Sequence, residues 1–185
     1  MKRRSQTGVL AGIGVLAAAT GAAQASFLPA FTGTTPAGAN TQFNYDLVFA
    51  TAGGGSPVER LENGDFLTIY DIPGLVSATA PAGFSVGVQN VGITATGTSP
   101  ADDAALPNVT FTYTGPTVTV DTFFNGANIV SSFGLVGLDN FTSETTRVSD
   151  GSTIGHIGLV PVPAIPEPGA LIFLSALPLG LLRRR

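Results

Sequence analysis

Four groups of residues have types and spacings that could do chemistry. Gly83-Phe84-Ser85-Val86-Gly87 has the spacing of a nucleophile elbow, and Asp121 and His156 follow it in the order serine, acid, histidine of a hydrolytic triad. Such a serine works only on a sharp strand-to-helix turn that exposes its hydroxyl. Here strand-forming valines follow it and no helical period does, so Ser85 reads as an outward-facing strand residue. Asp102-Asp103, with Asp139, Glu144 and Asp150, could offer oxygen ligands to calcium, but none has the spaced register of an EF-hand. They read as solvated loop acids. Glu59, Glu62 and Glu144 could contain a glycosidase pair, whose working separation a sequence does not fix. His156 is the only histidine and there is no cysteine, which removes the usual zinc sites. No catalytic residue, metal site or cofactor is therefore assigned, and the protein is expected not to be an enzyme.

The elements around these residues have the period of strands. Phe43, Tyr45, Leu47 and Phe49 alternate with Asn44, Asp46 and Val48, and Val109, Phe111 and Tyr113 alternate with threonines. Further short strands are expected at Val58–Glu62, Phe66–Asp71, Phe84–Val88, Ile129–Leu138, Phe141–Val148 and Ile154–Val160, with Val91 and Ile93, then Val118 and Val120, in minor ones. Turns fall at Asn63-Gly64, Ile72-Pro73-Gly74, Asp139-Asn140 and Asp150-Gly151. Residues 26–41 read as a loose lead-in with a short edge strand at Ser26–Phe31. No helical period appears between the two ends of the chain. The expected fold is all-β: a single antiparallel β-sandwich, jelly-roll-like, over residues 26–162.

Charge narrows the partners. Between Ser26 and Ile165 only Arg60 and Arg147 stand against eleven acidic side chains, a formal charge of −9. A domain of that sign repels nucleic acid. A domain of this length buries enough apolar surface to fold outside the cell without disulfides.

The two ends carry the clearest instructions. Residues 1–25 have the order of a secretory signal helix: Lys2, Arg3 and Arg4, the apolar stretch Val9–Ala19, then the small-residue cleavage site Ala23-Gln24-Ala25 before Ser26. Its partners are the secretory translocon and signal peptidase. Residues 163–185 form a tail with three parts. Prolines hold Pro163 to Pro168 extended. Gly169 to Leu182 is a run of fourteen uncharged residues, which as a helix would span about 21 Å of a roughly 30 Å hydrocarbon core. Arg183, Arg184 and Arg185 act as a stop-transfer cluster that stays cytoplasmic, leaving the preceding domain outside.

Pro166-Glu167-Pro168, an apolar run and a terminal arginine cluster resemble the bacterial PEP-CTERM sorting signal. The resemblance covers about 23 residues and rests on three features in the right order. It implies recognition of Pro166, Glu167 and Pro168 by an exosortase, an integral-membrane cysteine enzyme, and cleavage of the tail. The protein would be exported, held transiently at the inner membrane by a short transmembrane helix, and delivered to the cell surface or extracellular matrix. A second similarity, Gly64–Asp71 with Asn108–Gly115, is to segments of exported proteins carrying the same signal and implies no mechanism. The expected function is a non-enzymatic surface or exopolysaccharide-matrix protein. The alternative is a carbohydrate-binding module that takes extracellular polysaccharide as its partner. No tryptophan is present, and Tyr45, Tyr70 and Tyr113 all fall at core positions of strands.

Overall fold

The alternation from Phe43 to Phe49 makes a strand with one buried face, and the rest of the fold closes over that face. The computed structural model describes residues 26–51 and 58–166. In chain order the strands are β1 (Ser26–Ala37), β2 (Asn40–Ala50), β3 (Glu59–Arg60), β4 (Phe66–Ile69), β5 (Leu75–Thr79), β6 (Phe84–Gln89), β7 (Asn108–Tyr113), β8 (Thr122–Ser131), β9 (Leu135–Arg147) and β10 (Thr153–Ala164). Among the described residues there is no helix. One sheet has the order β1-β2-β8-β5; the other has β10-β9-β4-β7-β6, with β3 also paired to β9. Every pairing is antiparallel. The protein is therefore all-β, with two antiparallel sheets packed as a sandwich.

The core lies between the sheets. Phe27, Phe43, Tyr45, Leu47 and Phe49 from the first sheet meet Leu67, Ile69, Val109, Phe111, Val160 and Val162 from the second. Each such side chain contributes about 1.5–3 kcal/mol on burial, so a core of this size accounts for a fold without disulfides. Two polar contacts fix how the sheets sit. The Tyr45 hydroxyl donates to the Pro161 carbonyl at 2.7 Å, and the Ser143 hydroxyl donates to the Phe27 carbonyl.

The expected turns at Asn63-Gly64, Pro73-Gly74 and Asp150-Gly151 are present, with Gly64, Gly74 and Gly151 at positive φ. Other readings need correction. Residues 26–41 are not a loose lead-in: β1 pairs with β2 from Ser26↔Ala50 to Ala37↔Asn40, with one irregularity between Phe31 and Gly33. Asp139-Asn140 is not a turn but the middle of β9, paired with Leu159 and Val160. The chain reverses instead between β8 and β9, at residues 132–134. An Asp-Asn pair suits a turn locally, but pairing with β10 along the whole of β9 overrides that preference. Val91 and Ile93 belong to no strand, Val118 makes only an isolated bridge to Leu61, and β5 had no clear sequence signal.

The loop of residues 90–107 lies over the outer face of the second sheet, a feature the strand pattern did not announce. Tyr70 is fully buried beneath it, and the Tyr70 hydroxyl donates to the Ile93 carbonyl at 2.8 Å. Thr96 donates its N–H and hydroxyl to Glu144 Oε2 at 2.9 and 2.7 Å. Beneath this side of the sheet the Thr68 and Thr110 hydroxyls satisfy each other at 2.8 Å. Thus Thr68 and Thr110, though on the outer face, are buried.

Gly155 marks the closest approach of loop and sheet. A Cβ there would stand 2.1 Å from the Thr96 carbonyl oxygen. Because the obstacle is backbone, Gly155→Ala should displace the loop and cost about 1–3 kcal/mol in urea unfolding. A loss below 0.5 kcal/mol, roughly the range of an ordinary surface substitution, would contradict this seating.

Candidate functional site

The residues of the nominal triad do not meet. Ser85 is exposed on β6 and pairs with Thr112, whereas His156 lies on β10 at the opposite edge of the same sheet. Four strand spacings of about 4.8 Å each separate those edges. Asp121 is held elsewhere, accepting the Thr51 N–H and hydroxyl at 2.7 and 2.6 Å. These two bonds hold its carboxyl below the usual range.

His156 has a different partner. Its Nε2 lies 2.9 Å from Glu59 Oε2, and the Thr145 hydroxyl donates to the same oxygen at 2.6 Å. Glu59 comes from β3, Thr145 from β9 and His156 from β10, so pairing of β3 and β10 with opposite sides of β9 assembles the cluster. Burial would raise the Glu59 carboxyl. Hydrogen bonds from His156 and Thr145, with the charges of His156 and Arg147, outweigh burial and hold it below its ordinary value. The cluster contains a hydroxyl, an imidazole and a carboxylate, but not in hydrolytic order. Thr145 and Glu59 both face Nε2, at 3.4 and 2.9 Å, whereas a triad needs them on opposite ring nitrogens. The arrangement ties β3 to the sheet.

A second buried acid lies nearby. Asp65 accepts the Glu62 N–H at 2.7 Å and the Thr146 hydroxyl at 3.1 Å. Burial dominates, and its carboxyl is pushed up to about 6. The folded state therefore holds this proton more tightly than the unfolded chain, where a typical aspartate titrates at about 3.9. Stability assigned to Asp65 is present below that unfolded value and is lost as pH rises through about 6. Asp65→Asn should remove that slope. Its stability relative to wild type should improve by roughly 1–3 kcal/mol between pH 4 and pH 7 in urea titrations, and a pH-independent difference would contradict the assignment.

Of the acids considered for calcium, Asp102, Asp103 and Glu144 engage the loop of residues 90–107, whereas Asp139 and Asp150 accept the N–H groups of Asn140 and Ser152. Asp102 accepts the Gly92 N–H and the Asn108 side-chain amide, both at 2.9 Å. Asp71 Oδ1 accepts the Asp103 N–H at 2.9 Å, while the Asp71 N–H donates to Asn108 Oδ1 at 2.7 Å. Among the described residues Asp71 is the one non-glycine at positive φ, 52°, two residues beyond the end of β4. Burial, then the charges of Asp139, Asp102 and Asp103, raise its carboxyl. Among the described residues no group of three or more acids and histidines is arranged to hold a metal ion. Asp71 and Asp139 also border a cavity of about 240 Å³ with Leu106, Leu138, Val162 and Ile165. The Glu59, Glu62 and Glu144 carboxylates are separately engaged, by His156, Arg60 and Thr96.

Of the residues expected to direct processing, Ser26 and Pro166 fall among the described residues. Ser26 begins β1 and pairs with Ala50; Ala23 and Ala25 lie outside the described residues. Ala164 ends β10 in pairing with Leu135, and Ile165 and Pro166 follow it exposed. Glu167, Pro168 and Arg183 to Arg185 lie outside the described residues, as do the expected signal and transmembrane helices. Tyr45, Tyr70 and Tyr113 are at most 2% exposed, so none can stack on a sugar.

Glu59–His156 is among the contacts that sequence reading missed. The two residues are 97 positions apart, and only the two-residue strand β3 brings them together. No family model, curated protein or solved structure matches this chain.

Proposed function

We propose that this chain is an exported, non-enzymatic cell-surface or matrix protein, sorted through its C-terminal tail and cut there by an exosortase. In this reading a jelly-roll-like sandwich lies between a signal helix and a short transmembrane helix. The chain changes sheet repeatedly, from β2 to β3, β4 to β5, β5 to β6, β7 to β8 and β8 to β9, which supports the jelly-roll-like description.

The observation that carries the proposal is where the paired backbone lies relative to the two cuts. The described core runs from Phe27 to Val162. Cleavage before Ser26 removes no residue of β1, and cleavage near Pro166 to Pro168 removes none of β10. Both processing steps leave the described sheets and their buried side chains whole. The exposure of Ile165 and Pro166 beyond the last strand also leaves a segment that an enzyme at the membrane surface can reach.

The amino-terminal cut offers a separate test. Edman sequencing of the protein recovered from its native host should begin at Ser26. A start inside β1 or at Met1 would show that the signal assignment is wrong.

A further inference from the structure

The sandwich has four sheet edges, and three of them are blocked. β1 carries Pro29 and Pro36 and a register shift between Phe31 and Gly33. β10 carries Pro161 and Pro163. β5 has only five residues and is irregular between Leu75 and Ser77. Prolines, irregularities and shortness are the devices that keep a sheet from pairing with another chain. β6 has none of the first two: Phe-Ser-Val-Gly-Val-Gln contains no proline and no charge, and its six residues pair with β7 without a shift.

The unused hydrogen-bonding groups on β6 can be identified. Tyr113 donates its N–H to Asp65 O and accepts the Gly64 N–H, so both groups point toward β4. Antiparallel alternation then turns Thr112, Thr110 and Asn108 toward β6, where they face Ser85, Gly87 and Gln89. The N–H and C=O groups of Val86 and Val88 consequently point away from β7. Their side chains are 37% and 55% exposed.

The strands on the same side carry no charge. No Asp, Glu, Lys, Arg or His occurs between Asp71 and Asp102, or between Asp103 and Asp121. These intervals contain β5, β6 and β7. Two copies of a domain this acidic repel each other, and the repulsion is weakest along strands that carry no charge of their own; the Asp102 carboxylate, bound to Asn108 beside Gln89, lies at one end of β6.

We propose that two copies of this chain pair antiparallel along β6. Val86-Gly87-Val88 reads the same in both directions, so a two-fold axis through Gly87 sets each Val86 against the partner's Val88. That register forms four N–H···O bonds and brings the two Gly87 residues together in a non-hydrogen-bonded pair, with Cα atoms about 4.5 Å apart. The valines of the two copies then cover one another on the same face. Because the other edges are blocked, association closes at a dimer instead of extending into a fibre.

The chain has no cysteine, so one introduced thiol is unique. A Cβ at Gly87 meets nothing closer than Gln89 Oε1 at 3.6 Å, and Gly87→Cys should fold normally. The test uses the full-length chain in a mild detergent that occupies its apolar ends. Under mild oxidation Gly87→Cys should become mostly disulfide-linked dimer, while Thr34→Cys on β1 stays mostly unlinked. In sedimentation velocity the unmodified chain should run as a dimer. Val88→Pro, which removes an outward N–H and none of the bonds to β7, should run as a monomer. A monomeric unmodified chain, open-ended oligomers, equal cross-linking of the two cysteine variants, or a β6 edge that takes only a foreign peptide would each overturn the proposal.

Discussion

Replacing Glu167 by alanine should, on the proposed sorting route, keep the protein in the membrane, with the uncleaved form rising from a minor species to the main one. Glu167 is the only Asp, Glu, Lys or Arg between Asp150 and Arg183. The proposed processing enzyme would therefore find one carboxylate, between two prolines that restrict the backbone on either side. A charge fixed in that way can be recognised by a complementary group at little conformational cost. Glu167→Gln separates charge from shape and should be processed nearly as poorly as alanine, while Glu167→Asp should retain part of the rate. Pulse-chase labelling with membrane fractionation reads all three variants. Processing of Glu167→Ala at the normal rate would place recognition elsewhere in the tail.

The largest effect on stability is expected at Tyr70. Its ring is fully buried, and a Cβ on Gly92 would stand only 2.3 Å from it, so the loop of residues 90–107 is moulded on this side chain. Its hydroxyl donates to Ile93 O and lies 3.0 Å from Thr142 Oγ1. Tyr70→Ala should cost about 3–5 kcal/mol, the usual range for emptying a buried aromatic site. Tyr70→Phe keeps the ring and should cost about 1 kcal/mol for the lost hydrogen bond. Folded domains are stable by only about 5–15 kcal/mol, so the first variant loses a large share of the total and the second does not. Urea unfolding at pH 7 measures both. Equal losses in the two variants would mean that the hydroxyl, and not the ring, holds the loop.

Much of the sandwich was legible because burial imposes a period of two. Phe43 to Phe49 and Val109 to Tyr113 fall on the core side as their alternation requires. Gly64, Gly74 and Gly151 mark turns that need positive φ. What was not legible depends on contacts between distant segments. Asp139-Asn140 suits a turn locally, but lies in the middle of a thirteen-residue strand. Asp102 and Asp103 are exposed loop acids as read, but their carboxylates and that of Glu144 also hold the loop of residues 90–107, which the sequence does not show. A sequence presents the carboxylates but not the N–H groups that reach them. The pairing of Glu59 with His156 was hidden for the same reason, and so was the cover over Thr68, Thr110 and Tyr70. The proposed sorting residues are the opposite case: that reading rests on their order along the chain alone and involves no tertiary contact.

Treating the tail as temporary leads most directly to intact-mass spectrometry of the protein isolated from its native host. The account predicts a chain beginning at Ser26 and ending near Pro166 to Pro168, recovered from the cell surface or surrounding matrix, with any attached group appearing as added mass. A molecule that still ends in Arg183-Arg184-Arg185 and is recovered from the inner membrane would contradict it.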